Sequence, residues 1–281
     1  MQKNLKKYFA FFALPTIIAF CISFVAPFVM GVYLSFCKFT TVTDAKWVGL
    51  ENYIKAFSGE PDFVNALKFT ALFTVVSVVT INVISFALAY MLTRGMRGTN
   101  IFRTIFFMPN LIGGIVLGYI WQLIINGVLM NWGVDITSKA QYGFWGLVFL
   151  MNWQLIGYMM IIYIAGIQNI SPDLIEAAEI DGANKRQILF GITIPNVMPS
   201  ITICAFLTLT NSFKLFDQNL ALTKGAPGKQ TQMLALDIYN TFYGRNGYEG
   251  VGQAKAVVFF LIVAAIAFIQ LRATRSKEVE S

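Results

Sequence analysis

Histidine is absent from this 281-residue chain, and charge is scarce: Asp, Glu, Lys and Arg together make up 12% of it. Without histidine there is no Ser–His or Cys–His nucleophile, no imidazole acid or base, and no histidine metal ligand. A soluble globular domain carries roughly 25% charged residues. With so few charges, 57% hydrophobic residues and a mean hydropathy of +0.64, this chain is solvated mainly by lipid. Cysteine is sparse too. Cys21, Cys37 and Cys204 are widely spaced, Cys21 and Cys204 inside apolar runs, so they read as small packing residues rather than a disulfide framework or a metal site. The pI near 9.3 raises nucleic acid as a partner. No basic stripe interleaves with aromatics as single-strand binding needs, so no nucleic-acid partner is expected. In a membrane chain, basic residues mark cytoplasmic flanks instead.

What is abundant is long apolar sequence. A bilayer crossing takes about 20 apolar residues, and runs of that order lie at about 9–36, 66–93, 104–125, 143–168, 197–217 and 252–272. The expected fold class is therefore all-α, a polytopic integral membrane protein with six transmembrane helices. One transmembrane domain covers 9–272, between an N-tail (1–8) and a C-tail (273–281), and no internal repeat is evident. The first run follows Lys3, Lys6 and Lys7 as in a secretory signal. It is longer than a signal's apolar core of roughly 7–15 residues and no small-residue cleavage site follows, so an uncleaved span is expected. Pro15 and Pro27 are expected to kink that span without ending it. Orientation follows the basic residues. The N-tail lysines and Arg94, Arg97 and Arg103 in the second connection stand without acidic residues in their segments, and the C-tail holds Arg272, Arg275 and Lys277. The segments 37–65, 126–142 and 218–251 mix both signs. Both termini are thus expected to be cytoplasmic, as is the polar stretch 169–196, where Lys185 and Arg186 agree.

That polar stretch is the most structured of the connections. Ser171 is placed to cap a helix, Pro172 suits its first position, and Asp173 favours the positive end of the helix dipole. Leu174, Ala177 and Ala178 follow at i, i+3 and i+4, a small-residue face for close packing, while Glu176 and Glu179 point elsewhere. Gly182 supplies a left-handed residue to end the helix. Asn184 and Gln187 form a capping box for a second helix, which runs through Ile188, Leu189 and Phe190 to Pro195.

The string Glu176-Ala177-Ala178-x-x-Asp181-Gly182-Ala183, with Phe190, Ile192, Pro195 and Pro199, closely resembles the EAA loop of binding-protein-dependent ATP-binding-cassette importer permeases. Phe102-Arg103-x-x-Phe106-Phe107-x-Pro109, then Trp121, Gly127 and Asn131, resembles the third-span signature of the sugar permeases. Val48–Tyr53 and Leu222-Thr223-x-Gly225-x-Pro227-x-x-x-Thr231-x-x-Leu234 resemble their first and last outer loops. Ala226, Asn184 and Arg186 depart from the common Gly, Ser and Trp, which blurs the subgroup and leaves the family intact. The resemblance is to the carbohydrate group, specifically a maltose-permease-like subunit. It implies the type I ABC importer permease fold, with spans two to six as its core, in the cell membrane of a prokaryote. It implies a heterodimer with a second permease subunit, two cytoplasmic ATPase subunits and an extracytoplasmic solute-binding protein. In such permeases the EAA hairpin docks into a cleft on the ATPase, whose closure drives alternating access. Glu176 inherits a pairing with an ATPase arginine, Ala177, Ala178 and Ala183 permit close approach, Asp181 steadies the turn, and Gly182 makes it. The chain itself is expected to be no enzyme and to hold no cofactor or metal.

Two motifs are set aside. Gly225–Gln230 evokes a phosphate loop, but Thr223 and Gln230 stand where a Walker A needs Gly and Ser or Thr, and no strand precedes. Asp181–Arg186 evokes the Asp-rich motif of membrane alcohol-phosphotransferases, yet the additional aspartates that would hold divalent cations are missing. A membrane-embedded transferase is the reading from another class. Polar residues inside the spans mark the expected solute path: Thr208, Asn211 and Ser212 on one face, Asn152, Gln154 and Tyr158 on the preceding span, and Asn82 with Ser85. Beside Trp121, Trp153 or Phe206 they suit a sugar; as plain inter-helical hydrogen bonds they are worth about 0.6 kcal/mol each. Lys214 and Asp217, near the outer end of the fifth span, are left without a role. The expected cargo is a sugar, in particular an oligosaccharide. A glycerol phosphodiester is the alternative, disfavoured because no Lys or Arg is read at mid-span.

Overall fold

The computed structural model describes residues 2–58, 61–95 and 98–275. Arg97 and the tail from 276 on, with Lys277, lie outside the described residues, as do the side chains of Lys3, Lys6, Lys7 and Arg275. The chain is helical nearly throughout: α1 (Gln2–Phe20), α2 (Ala26–Ser35), α3 (Glu51–Ser58), α4 (Pro61–Leu92), α5 (Thr99–Phe107), α6 (Gly114–Leu129) and α7 (Ala140–Gln168) come first. They are followed by α8 (Pro172–Ile180), α9 (Lys185–Ile188), α10 (Ile194–Asn196), α11 (Met198–Phe213), α12 (Asp217–Leu222), α13 (Leu234–Gly244) and α14 (Glu249–Arg275). Among the described residues the only sheet is an antiparallel pair, β1 (Cys37–Lys38) with β2 (Lys46–Trp47).

Five helical stretches are long and apolar enough to cross a membrane: Phe11–Ser35, Asp62–Leu92, Gly114–Trp132, Ala140–Gln168 and Glu249–Ala273. Lys185–Asn196 and Met198–Phe213, bent by 67° at their junction, make a sixth when counted as one broken span. The third crossing is the main departure from the expected boundaries. The run read as 104–125 is two helices: α5 stops, a 3-10 turn runs from Met108 to Leu111, and α6 begins at Gly114. Pro109 lacks the amide that would continue α5, and Gly113 at φ −60°, ψ 140° is non-helical, so the chain turns. The surrounding Phe, Ile and Leu kept the apolar run unbroken and hid the boundary. The fifth span also ends early, at Phe213 rather than 217, because Lys214–Phe216 separate α11 from α12.

Two prolines are accommodated in the same way. A π-helical segment, Cys21–Val25, precedes Pro27, and another, Leu189–Thr193, precedes Pro195. In each, the widened turn passes the bond on by one residue: the amide of Ala26 reaches the carbonyl of Cys21, and that of Ile194 reaches Leu189. The first span runs on through Pro15 and Pro27 as one stretch, Phe11–Ser35, and the expectation that these prolines do not end it is met.

The chain gathers into two compact units, Met1–Phe63 with Ile238–Phe260, and Val64–Asp237 with Leu261–Ser281. In the first, Leu34, Cys37 and Phe39 form a small core with Ala45 and Phe242. Asn52, buried, donates from its amide to the carbonyls of Ser35 and Cys37, both at 2.9 Å, and so ties the sheet turn to α3. Lys255 is fully buried there, donating to the Thr241 hydroxyl at 2.8 Å with its ammonium 5.5 Å from the Phe63 ring centre. In the second unit, α7 is the axis. Leu147, Leu150, Met151, Met159, Met160 and Tyr163 along it are buried and contribute to the main apolar core. α5 lies against α7 so closely that a methyl on Gly157 would overlap the carbonyl of Phe106. Close backbone approach through small residues is how membrane helices gain packing energy. Gly157→Ala is expected to force α5 off α7 and cost on the order of 1–3 kcal/mol, read as a lower thermal unfolding midpoint of the detergent-purified transporter.

Candidate functional site

The polar stretch that leaves the fourth span and runs into the first helix of the bent pair is a closed helical hairpin. α8 starts with Pro172 at its first position and Asp173 in its first turn. Ser171 occupies the N-cap, but its hydroxyl makes no capping bond, contrary to expectation. The amide of Leu174 is already held by the Ser171 carbonyl at 3.2 Å, which leaves the hydroxyl no capping partner at that position. At the other end Gly182 adopts φ +83°. The amide of Gly182 bonds the Glu179 carbonyl at 3.1 Å and that of Ala183 bonds Ala178 at 2.9 Å. This is the paired closure of a Schellman turn, in which a left-handed glycine satisfies the last carbonyls of the helix. Asp181 enters it through its backbone amide, 3.0 Å from the Ala177 carbonyl, while its side chain stays exposed. Asn184 then caps α9 as its spacing requires: its Oδ1 accepts from the amides of Arg186 and Gln187 at 3.0 Å, and Gln187 Oε1 accepts from the Asn184 amide at 2.7 Å.

The hairpin has two faces. Ile175 packs toward the core of its unit and Ile188 is buried. Glu176 and Ala177 are exposed, Ala178 and Ala183 half-buried. Leu174, Ile180 and Phe190 also stand out, Ile180 at 85% exposure. The exposed side of the hairpin thus combines small residues, bare apolar side chains and the carboxylates of Glu176 and Glu179.

The residues expected along the solute path divide into two sets. Gln154, Tyr158 and Asn211 line a cavity of about 340 Å³ between α7 and the α11–α12 break. Asn110, Lys214, Asp217 and Gln218 complete its polar wall, and Met151, Leu155, Leu215 and Phe216 its apolar one. Gln218 donates to Gln154 Oε1 at 2.8 Å, so the two amides form one surface. The cavity sits where a helix is interrupted, the kind of place where irregular backbone in a membrane protein can face a polar cavity instead of lipid. Asn82, Ser85, Asn152, Thr208 and Ser212 are placed differently. Asn82 donates to Thr208 at 3.3 Å and accepts from Tyr163 at 2.7 Å, and Thr208 donates to the Cys204 carbonyl at 2.7 Å. Asn152 donates to Thr80 at 3.0 Å, and Ser85 to the Ile156 carbonyl at 3.0 Å. Ser212 is buried off the cavity wall. A shared helix face did not separate these, because cavity and helix interface lie on adjoining sides of the same helices. Trp121 and Trp153 pack edge to face on each other, centroids 5.8 Å apart, rather than lining the cavity. Asn110 and Gln218 were missed; Pro109 beside the first, and Lys214 with Asp217 beside the second, were the available signals of broken helix.

The turn around Gly225 is closed by its own bonds. The amides of Gly225 and Ala226 go to Thr223, that of Gln230 to the Pro227 carbonyl, and that of Thr231 to the Gly225 carbonyl. Amides engaged in this way form no phosphate cradle. Among the described residues no three His, Cys, Asp or Glu side chains gather to hold a metal.

The family described as binding-protein-dependent transport system inner membrane component matches residues 93–276. The chain belongs to that family. The match takes in α5, both helices of the hairpin and the cavity wall. This transport-system membrane component is also 44% identical over 286 aligned residues to the probable starch degradation products transport system permease protein of Thermoanaerobacterium thermosulfurigenes, covering 99% of this chain and 97% of the relative. It is 29% identical over 290 aligned residues to the multiple sugar-binding transport system permease protein of Streptococcus mutans, covering 99% of both. Its fold is that of a permease chain in a crystal structure of a bacterial ABC transporter that imports the acidic polysaccharide alginate, with TM-score 0.81, 20% identity and 98% of each chain covered. The component therefore has the type I ABC importer permease fold and is a multi-pass membrane protein.

The Schellman turn makes a definite demand. Gly182→Val places a β-branched side chain at φ +83°, which costs about 1–2 kcal/mol or more. Asn184→Ala removes a cap worth about 1 kcal/mol. Both changes are expected to raise protease cutting within 171–196, Gly182→Val more strongly, without loss of membrane insertion.

Proposed function

We propose that this chain is one permease subunit of an ABC importer that carries a sugar, in particular an oligosaccharide, across the cell membrane of a prokaryote. A second permease subunit pairs with it, two ATPase subunits sit on the cytoplasmic side, and an extracytoplasmic binding protein delivers the solute. Both termini and the hairpin 169–196 face the cytoplasm, as the distribution of basic residues supports. The stretch 9–272 acts as the transmembrane permease domain. The observation that carries this reading is the self-closed hairpin, with Glu176 and Ala177 bare on its outer ridge, in a chain 44% identical to a permease of starch degradation products. ATP hydrolysis belongs to the partner subunits. The hairpin passes their closing motion to the spans: Glu176 pairs with a cation on the ATPase, Ala177, Ala178 and Ala183 let the ridge seat closely, and Asp181 and Gly182 hold its tip.

Gln154, Tyr158 and Asn211, with Asn110 and Gln218, contact the solute. Amides and a phenol bind hydroxyls, and Phe216 offers an apolar face. Lys214 and Asp217 add one charge of each sign to the wall, so it remains neutral in sum and suits an uncharged polyhydroxylated cargo. A glycerol phosphodiester would meet an opposing carboxylate there. Asn82, Asn152, Thr208 and Ser212 serve helix packing rather than the path. Family membership disfavours the transferase reading.

Two measurements separate these roles. Glu176→Lys is expected to abolish uptake and co-purification of the ATPase while leaving insertion intact; survival of both would remove Glu176 from the coupling role. Tyr158→Ala and Asn211→Ala are expected to lower sugar uptake at least tenfold with the complex assembled and its unfolding midpoint unchanged. Thr208→Val is expected to lower that midpoint and leave the apparent affinity for solute intact.

A further inference from the structure

A second cavity, of about 430 Å³, lies beneath the hairpin, between it and the ends of α4 and α7. Ile167, Ile170, Ile175 and Ile188 give it an apolar lining, beside Thr93, Gln168 and Thr193. Its charged lining is Arg94 from the turn after α4, Lys185 from the start of α9 and Glu179 from α8. Arg94 is held in place by Tyr90: its guanidinium stacks 4.2 Å from the ring centre and also donates to the phenol oxygen. Lys185 and Glu179 are exposed and make no ion pair with each other within 4.0 Å. The lining therefore sums to one positive charge, carried by two cations that reach in from different elements beside an aliphatic floor.

We infer that this cavity binds the headgroup of a monoanionic phospholipid, a phosphodiester such as phosphatidylglycerol, with the first methylenes of an acyl chain on the isoleucine floor. A phosphodiester carries one negative charge, which matches the lining. Arg94 offers a planar fork of donors to the phosphate and Lys185 a point charge, and basic pockets between spans on the cytoplasmic side are suited to anionic headgroups. With the hairpin on the inner face, as proposed above, the lipid comes from the inner leaflet. A zwitterionic lipid brings no net charge to the site and is bound less well. A bound headgroup would join the end of α4 to the base of the hairpin and brace it where Ile175 and Ile188 already anchor it.

The test is lipid retention by the intact transporter, purified with its partner subunits, mildly delipidated, and examined by native mass spectrometry after adding phosphatidylglycerol or phosphatidylethanolamine. One phosphatidylglycerol per copy of this chain is expected to persist above the diffuse annular population. Arg94→Gln and Lys185→Gln are each expected to weaken its retention about fivefold. Arg94→Lys and Lys185→Arg should largely keep it, and Glu179→Gln should strengthen it. Equal retention of phosphatidylethanolamine, no change in the double variant Arg94→Gln/Lys185→Gln, or displacement by millimolar inorganic phosphate would each overturn the assignment, the last by naming a soluble phosphate as the occupant. Retention is read without transport, so a failure here leaves the coupling role of Glu176 standing, and loss of that role leaves the lipid result readable.

Discussion

A backbone amide or carbonyl left without a partner in hydrocarbon costs several kcal/mol, and the irregular parts of this molecule are answers to that constraint. Pro27, inside the first span, would strip a bond from the ladder, and the five-residue π-helical segment Cys21–Val25 ends two residues before it; Leu189–Thr193 stands in the same relation to Pro195 where the hairpin ends. Where the ladder is truly cut, at Met108–Leu111 and at Lys214–Phe216, the cut ends meet at a polar-lined cavity instead of lipid. Asn110 comes from one break and Lys214 from the other. The same rule that forbids loose backbone in the bilayer thus accounts for where the polar cavity forms.

The helix that both features depend on is α7. Its glycine at position 157 lets α5 press against it, which brings the 108–111 break within reach of Gln154 and Tyr158 on its cavity face. Its other side carries Asn152, bonded to Thr80, and Tyr163, bonded to Asn82. One helix therefore serves as wall, spacer and strut. The polar residues that look alike in a hydropathy profile have separate duties because they point in different directions from a single axis.

Much of this was legible in the amino acids alone. The hairpin could be read nearly bond by bond, because its determinants are local: Gly182 for the left-handed turn, Asn184 and Gln187 for the reciprocal cap, Pro172 for the first helical position. Ser171 was the exception, since which of two oxygens in one residue satisfies an amide is decided by backbone geometry that sequence spacing does not encode. The fold class was legible, as a chain of five or six long apolar helices, because hydropathy integrates over twenty or so residues. Their breaks were not, since Phe106, Phe107 and Leu111 are as apolar as the helices on either side. The cavity was legible only by half. Gln154, Tyr158 and Asn211 were found by polarity, but distinguishing them from Asn152, Thr208 and Ser212 requires the rotation of each helix about its axis, and Gln218 becomes a wall residue only because α12 folds back beside α6.

The hairpin's closing bonds all begin and end within itself. A segment that is shaped before it meets a partner loses little conformational entropy on docking, so the binding free energy is not consumed in ordering it. Glycine loosens the interior of most helices; here it has the opposite effect, because by admitting the one dihedral that lets both carbonyls be satisfied Gly182 closes the hairpin on itself.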